Sequence, residues 1–129
     1  MGIDTLAIWH DLVRSHRAEG LRALLADDVV FHSPVVHAAQ VGKHITTQYL
    51  SAAFEVFFNP TFRYVREVSG AHDAVLEFVV EIDGITVNGV DMLKWNERGE
   101  IVDFKVMIRP LKAINLIQQK MAALLVARP

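Results

Sequence analysis

Apolar residues recur along this chain with two different spacings. From Ile3 to His16 the spacing is helical, with Leu6, Trp9 and Val13 on one stripe and Asp4 or Thr5 as caps. A second short helix is expected from Ala18 to Ala26, closed by Asp27-Asp28. Val29 to His32 reads as a short strand, stopped by Ser33-Pro34. Val41-Gly42-Lys43 leads into a third helix through Phe58. Its apolar stripe includes Ile45, Tyr49, Leu50, Ala53, Phe54 and Phe57, wide enough to cover a sheet, and Asn59-Pro60 ends it.

Beyond Pro60 the period falls to two. Thr61 to Ser69, Ala74 to Ile82, Ile85 to Trp95 and Ile101 to Ile108 read as four strands, separated by turn residues at Gly70–Asp73, Asp83-Gly84 and Asn96–Glu100. Arg109-Pro110 opens a last helix, with Pro110 where a missing N–H costs nothing. Ile114, Ile117, Met121 and Leu124 or Leu125 give that helix its apolar face. The predicted architecture is α+β: a cone-shaped, curved antiparallel sheet made of a short strand plus a four-stranded meander, covered by helices, with a C-terminal helix.

Composition narrows what such a cone is for. At 129 residues the expectation is a single domain spanning 1–129, and 52% apolar residues supply its core. The net charge of −2, with basic residues scattered, argues against nucleic acid as a partner. No apolar run approaches ~18 residues, so no membrane span is read. The N-terminus lacks the basic-then-apolar pattern of a leader, so a soluble cytoplasmic protein is expected. Absence of cysteine removes disulfides, thiolate metal sites and cysteine nucleophiles.

One residue breaks the apolar rows. Asp91 shares a strand side with Val87, Gly89, Leu93 and Trp95, and a carboxylate there must be paired, wet or used. A two-residue turn at Asp83-Gly84 sets Leu76 opposite Asp91 and Phe78 opposite Gly89. One face then carries Leu76, Phe78, Val80, Val87, Leu93 and Asp91, the other Glu77, Glu81, Asn88 and Lys94. An extra turn residue would flip one strand and bring Glu77 and Glu81 beside Asp91, so Glu77 stays as a lesser candidate.

The order of elements, with Asp28-Val29-Val30-Phe31-His32-Ser33-Pro34, Asn88-Gly89-Val90-Asp91, and Gly99-Glu100-Ile101-Val102 running into Met107-Ile108-Arg109-Pro110-Leu111, resembles the nuclear-transport-factor-2-like superfamily, in particular its SnoaL-like branch. The resemblance spans nearly the whole chain. It implies a small apolar ligand held between sheet and helices, and a homodimer formed through the sheet. Val90 and Met92, opposite Asp91 on the strand, suit that contact. The fold hosts isomerases, epoxide hydrolases, cyclases, dehydratases and binding modules, so it does not fix the activity.

An Asp-Arg-Asp epoxide-hydrolase site is not matched, because the comparable positions hold Val79, Glu81 and Val106. Asp91 and Tyr49 correspond in type, though not in demonstrated position, to the acid and tyrosine of ketosteroid isomerases. Asp91 also suits the aspartate base of cyclases.

The expected catalytic pair is therefore Asp91 as base with His32, placed inward together with Val30 by the resemblance. Tyr49 is an alternative for polarising a carbonyl. Trp9, Tyr49, Phe54, Phe78, Val87 and Phe104, with Glu77, are expected to bind ligand. No His-x-His or His-Glu-x-x-His grouping is present, so no metal is expected, and no cofactor is implied. Two readings remain open: a cofactor-independent isomerase, cyclase or dehydratase, and a non-catalytic ligand-binding or homodimeric interaction module.

Overall fold

In a computed structural model the described residues are 4–127. The expected helix start at Ile3 and the leader reading over residues 1–3 lie outside them. Helix α1, Thr5–Ser15, is capped by Asp4, whose Oδ1 accepts the Ala7 N–H at 3.0 Å. Thr5 is instead buried, and its hydroxyl donates to the Gly99 carbonyl at 2.7 Å, tying the helix to the last hairpin.

The second helix is shorter than its sequence pattern. A 3₁₀ turn at Ala18–Gly20 and one helical turn, α2 at Leu21–Leu24, give way to strand β1, Leu25–His32. The expected extension to Ala26 fails because Leu25 pairs with Ile101 and both are fully buried. Asp27 and Asp28 do not close a helix; they sit exposed in the strand at a register shift. A short apolar run such as Leu24-Leu25-Ala26 fits either period, and tertiary pairing decides.

A two-residue strand β2, Gln40–Val41, pairs antiparallel with β1 and was not expected. Helix α3 spans Lys43–Phe57, followed by β3 at Arg63–Ser69, β4 at Asp73–Ile82, β5 at Ile85–Trp95 and β6 at Ile101–Arg109. Helix α4, Leu111–Ala127, follows, with the Pro110 carbonyl accepting the Ala113 and Ile114 N–H groups.

The sheet runs β2-β1-β6-β5-β4-β3. It is mixed rather than purely antiparallel, since β1 lies parallel to β6. That pairing follows from the crossover through α3, which carries the chain from β2 to the far edge at β3 before the meander returns.

The β4–β5 register is the one the two-residue turn dictates. Asp83 and Gly84 take φ values of 51° and 77°, and Leu76 lies opposite Asp91. Leu76, Phe78, Val80, Val87 and Leu93 are buried on the concave face, the face that α3 and α4 cover. Gly89 belongs to this face for a steric reason. A Cβ there would meet the Phe78 ring at 2.5 Å and the Met107 carbonyl at 2.7 Å, so only glycine lets that ring lie across β5.

An acid and a tyrosine beneath an aromatic vault

Asp91 projects from β5 into the hollow between sheet and helices and is 8% exposed. The hollow is narrow, with a cavity volume of about 50 Å³. Trp9 from α1, Phe54 from α3, Phe78 from β4, Phe104 from β6 and Ile117 from α4 form much of its wall. The rings pack edge to face, Trp9 on Phe104 with centroids 5.0 Å apart and Trp9 on Phe54 at 5.8 Å.

The carboxylate has one side-chain partner in this setting. Tyr64 donates its hydroxyl to Asp91 Oδ2 at 2.7 Å, and the Trp9 indole N–H donates to the Tyr64 oxygen at 3.0 Å. The three form a directed chain: indole to phenol to carboxylate. Each donor faces an acceptor, so both bonds of the chain are made although the groups are buried.

Burial and this bond oppose each other at Asp91. Desolvation penalises the ionised form and raises the carboxyl from 3.8, while the Tyr64 hydroxyl stabilises the anion and lowers it. Burial wins, leaving the group at about 7. Tyr64 is pushed well above the ordinary phenol value, first by burial and then by the Asp91 charge. The phenol therefore stays protonated as a donor. Behind it lies an outer pair, His10 Nε2 and Glu67 Oε1 at 2.6 Å, with the His10 ring edge-on to Tyr64 at 5.4 Å.

Tyr64 was not among the residues expected at the site. Strand β3 alternates poorly, and counting back from the Ser69–Ala74 pair puts Tyr64 opposite Val79, on the outer face. A bulge intervenes. Arg66 pairs with Glu77 but Tyr64 pairs with Phe78, so Val65 is extra and every residue before it changes side. The only hint in the sequence is the alternation of Phe62 and Tyr64 within a charged stretch.

The SnoaL-like domain family matches residues 7–104. The chain belongs to this family. Among solved structures, a steroid delta-isomerase from Pseudomonas aeruginosa is 34% identical, with 95% of this chain and 90% of that one covered and a TM-score of 0.89. An uncharacterised protein with a cystatin-like fold from Silicibacter pomeroyi DSS-3 is 32% identical over 93% and 84%, with a TM-score of 0.85. A nuclear-transport-factor-2-like protein of unknown function from Mesorhizobium loti shares the fold at 20% identity, 83% and 89% coverage and a TM-score of 0.71. No curated protein matches the sequence.

In this SnoaL-like chain Asp91, Trp9, Phe54, Phe78 and Phe104 converge on the hollow, and four expected residues do not. His32 is on the outer face, where Nε2 lies 3.1 Å from Asp103 Oδ2. Val30 and His32 do share a side, but Val29 and Phe31 take the inward one. Pairing Phe31 with Phe104 buries a ring, which outweighs burying an imidazole. Tyr49 packs against Phe31 at 5.5 Å without reaching Asp91 or the cavity wall. Val87 is fully buried, in the core rather than the wall. Glu77 points outward and bonds Arg66 Nε and Asn88 Nδ2, each at 3.1 Å. Among the described residues no group of three or more His, Cys, Asp or Glu is placed to hold a metal ion, and no helix is long and apolar enough to cross a membrane.

A carboxyl moved from 3.8 to about 7 binds a proton more tightly folded than unfolded. Its contribution is full below the unfolded value and is lost as pH rises through 7. The loss is about 4 kcal/mol, from a displacement of roughly three pH units at 1.36 kcal/mol each. Asp91→Asn, which keeps the acceptor for Tyr64 but cannot ionise, removes this penalty. Its melting temperature relative to the unsubstituted protein is expected to rise between pH 5 and pH 8. A difference that stays constant across that range contradicts the assignment.

Proposed function

We propose that this SnoaL-like protein is a cofactor-independent isomerase that moves a proton on a small apolar carbonyl compound, with Asp91 as the base. One observation carries the reading: the hollow is walled by apolar side chains around a single carboxylate poised near neutrality. Such a group is partly ionised at pH 7 and both removes and returns a proton readily, an effect of roughly 10²–10⁴ in rate. The 34% identity to a steroid delta-isomerase supports the same class of chemistry.

The step needs no outside reagent. The Asp91 carboxylate takes a proton from the carbon between a carbonyl and a C=C bond, giving a dienolate. The same proton is delivered to the far end of the former double bond, which moves into conjugation. Tyr64 remains bonded to Oδ2 throughout and orients the carboxylate, and the walls exclude water that would exchange the proton. Ser33 supplies a hydroxyl in the wall that would serve as a donor to the carbonyl oxygen.

Conversion of a β,γ-unsaturated cyclic ketone to its conjugated isomer, followed by enone absorbance, tests this. The rate is expected to rise with pH through about 7 as Asp91 ionises, and to fall roughly 10²- to 10⁴-fold in Asp91→Asn with the fold intact by circular dichroism. An unchanged rate in that variant refutes the role of Asp91.

The outer face of the sheet supports a second element of the reading, a homodimer. Val75 pairs across with Met92, and Val90 with Met107, in an apolar band in which Val75 is 38% and Met107 50% exposed. Met107→Glu is expected to shift the sedimentation coefficient from dimer to monomer. A protein already monomeric at micromolar concentration excludes this element.

A further inference from the structure

The hollow contains an anion-forming group and, among the described residues, no cation to balance it. Of the seventeen described residues that line it, eight are aromatic and Asp91 alone is ionisable. Each element packed around Asp91 repeats the pattern. Helix α1 presents Trp9, α3 presents Phe54 and Phe57, α4 presents Ile117 and Met121, and β6 presents Val106. Leu76 lies beside it on β4. The one titratable neighbour in contact is Tyr64 on β3, a neutral donor. His10 stands behind Tyr64, and its charge when protonated goes to Glu67 at 2.6 Å. Among the described residues no lysine or arginine pairs with Asp91.

We propose that the missing countercharge comes from a ligand: the hollow takes a small tertiary ammonium ion, with its N–H on the Asp91 carboxylate and its alkyl groups against the surrounding rings. The inference rests on the hollow being a ligand pocket and is independent of turnover there.

Three features select this class. Aromatic walls attract a cation through their ring quadrupoles, most strongly where water is excluded. Alkylation lowers the hydration an ammonium must give up on entry, so a methylated amine enters more readily than a bare one. Among the described residues of the wall the side-chain acceptors are the Asp91 carboxylate and the Ser33 hydroxyl, which already accepts the Val35 N–H; the Trp9 indole is a donor engaged by Tyr64. A tertiary ammonium has one N–H to satisfy, whereas a primary ammonium brings three and leaves donors unmatched. An anion is opposed by Asp91 itself. The narrowness of the hollow favours a cation the size of trimethylammonium.

Charge also sets the pH behaviour. The ligand pairs with ionised Asp91, so at acid pH binding must first expel the carboxyl proton, while the amine remains protonated throughout. Affinity therefore increases from pH 6 to pH 8. The same ion occupies the base proposed for isomerisation and would act as a competitive inhibitor of it.

Isothermal titration of the full chain with four probes decides the matter: trimethylammonium chloride, tert-butanol as an uncharged isostere, methylammonium chloride, and isobutyrate as an anion of similar shape. Trimethylammonium is expected to bind at least about tenfold more tightly than each of the others at pH 8, and more weakly at pH 6. Asp91→Asn is expected to erase its advantage over tert-butanol. Equal affinity for tert-butanol, a preference for methylammonium or isobutyrate, or no trimethylammonium binding overturns the proposal. The four-probe comparison on the unsubstituted protein stands even where the variant folds poorly. Isomerisation without ammonium binding would defeat this inference alone, and ammonium binding without isomerisation would defeat the catalytic reading alone.

Discussion

The bond from the Tyr64 hydroxyl to the Asp91 carboxylate sets the terms for everything else in this hollow. A carboxyl group placed among rings and aliphatic side chains is costly when charged, and water is largely kept from it. Tyr64 offsets part of that cost and holds one oxygen at a fixed place, while the Trp9 indole orients the phenol in turn. The bond is too weak to cancel burial. It leaves the acid near neutrality, where a small change in its surroundings changes its charge. A carboxylate at its ordinary value would be a poor proton carrier in such a site, and one raised much further would never ionise.

Three separate local features bring these groups together. The Asp83-Gly84 turn fixes the β4–β5 register and turns Asp91 inward beside Leu76. The bulge at Val65 turns Tyr64 to the same side. Asp4 and Thr5 anchor the start of α1, the first by capping it and the second by bonding to Gly99 in the β5–β6 turn, which sets Trp9 over both. Gly89 completes the arrangement by letting the Phe78 ring cross β5. The chemistry is thus a consequence of register: a one-residue slip in either hairpin would separate the acid from its donor.

Much of this was readable from the residues alone, and the exceptions share a cause. Long elements with a clear period, such as β4, β5 and α3, matched their patterns closely, as did the inward position of Asp91. Errors arose where a short segment fits two geometries. The Leu24-Leu25-Ala26 run reads as helix or strand until Ile101 is known to pair with Leu25. The face of the short strand carrying His32 depends on which side meets Phe104, a contact far away in sequence and invisible to local periodicity. Tyr64 was missed because a bulge leaves no reliable mark on composition. Glu77 tested the alternative register, and its bonds to Arg66 and Asn88 on the outer face place it away from the hollow.

Family membership agrees with the geometry without replacing it. A SnoaL-like domain accounts for the fold, and the acid itself carries the proposed proton transfer. Its titration can be observed directly. With ¹³C-labelled aspartate, the side-chain carboxyl resonance of Asp91, assigned by its loss in Asp91→Asn, should move with a midpoint near pH 7. A midpoint near 4, the value of an aspartate in water, would show a solvated carboxylate and contradict the account.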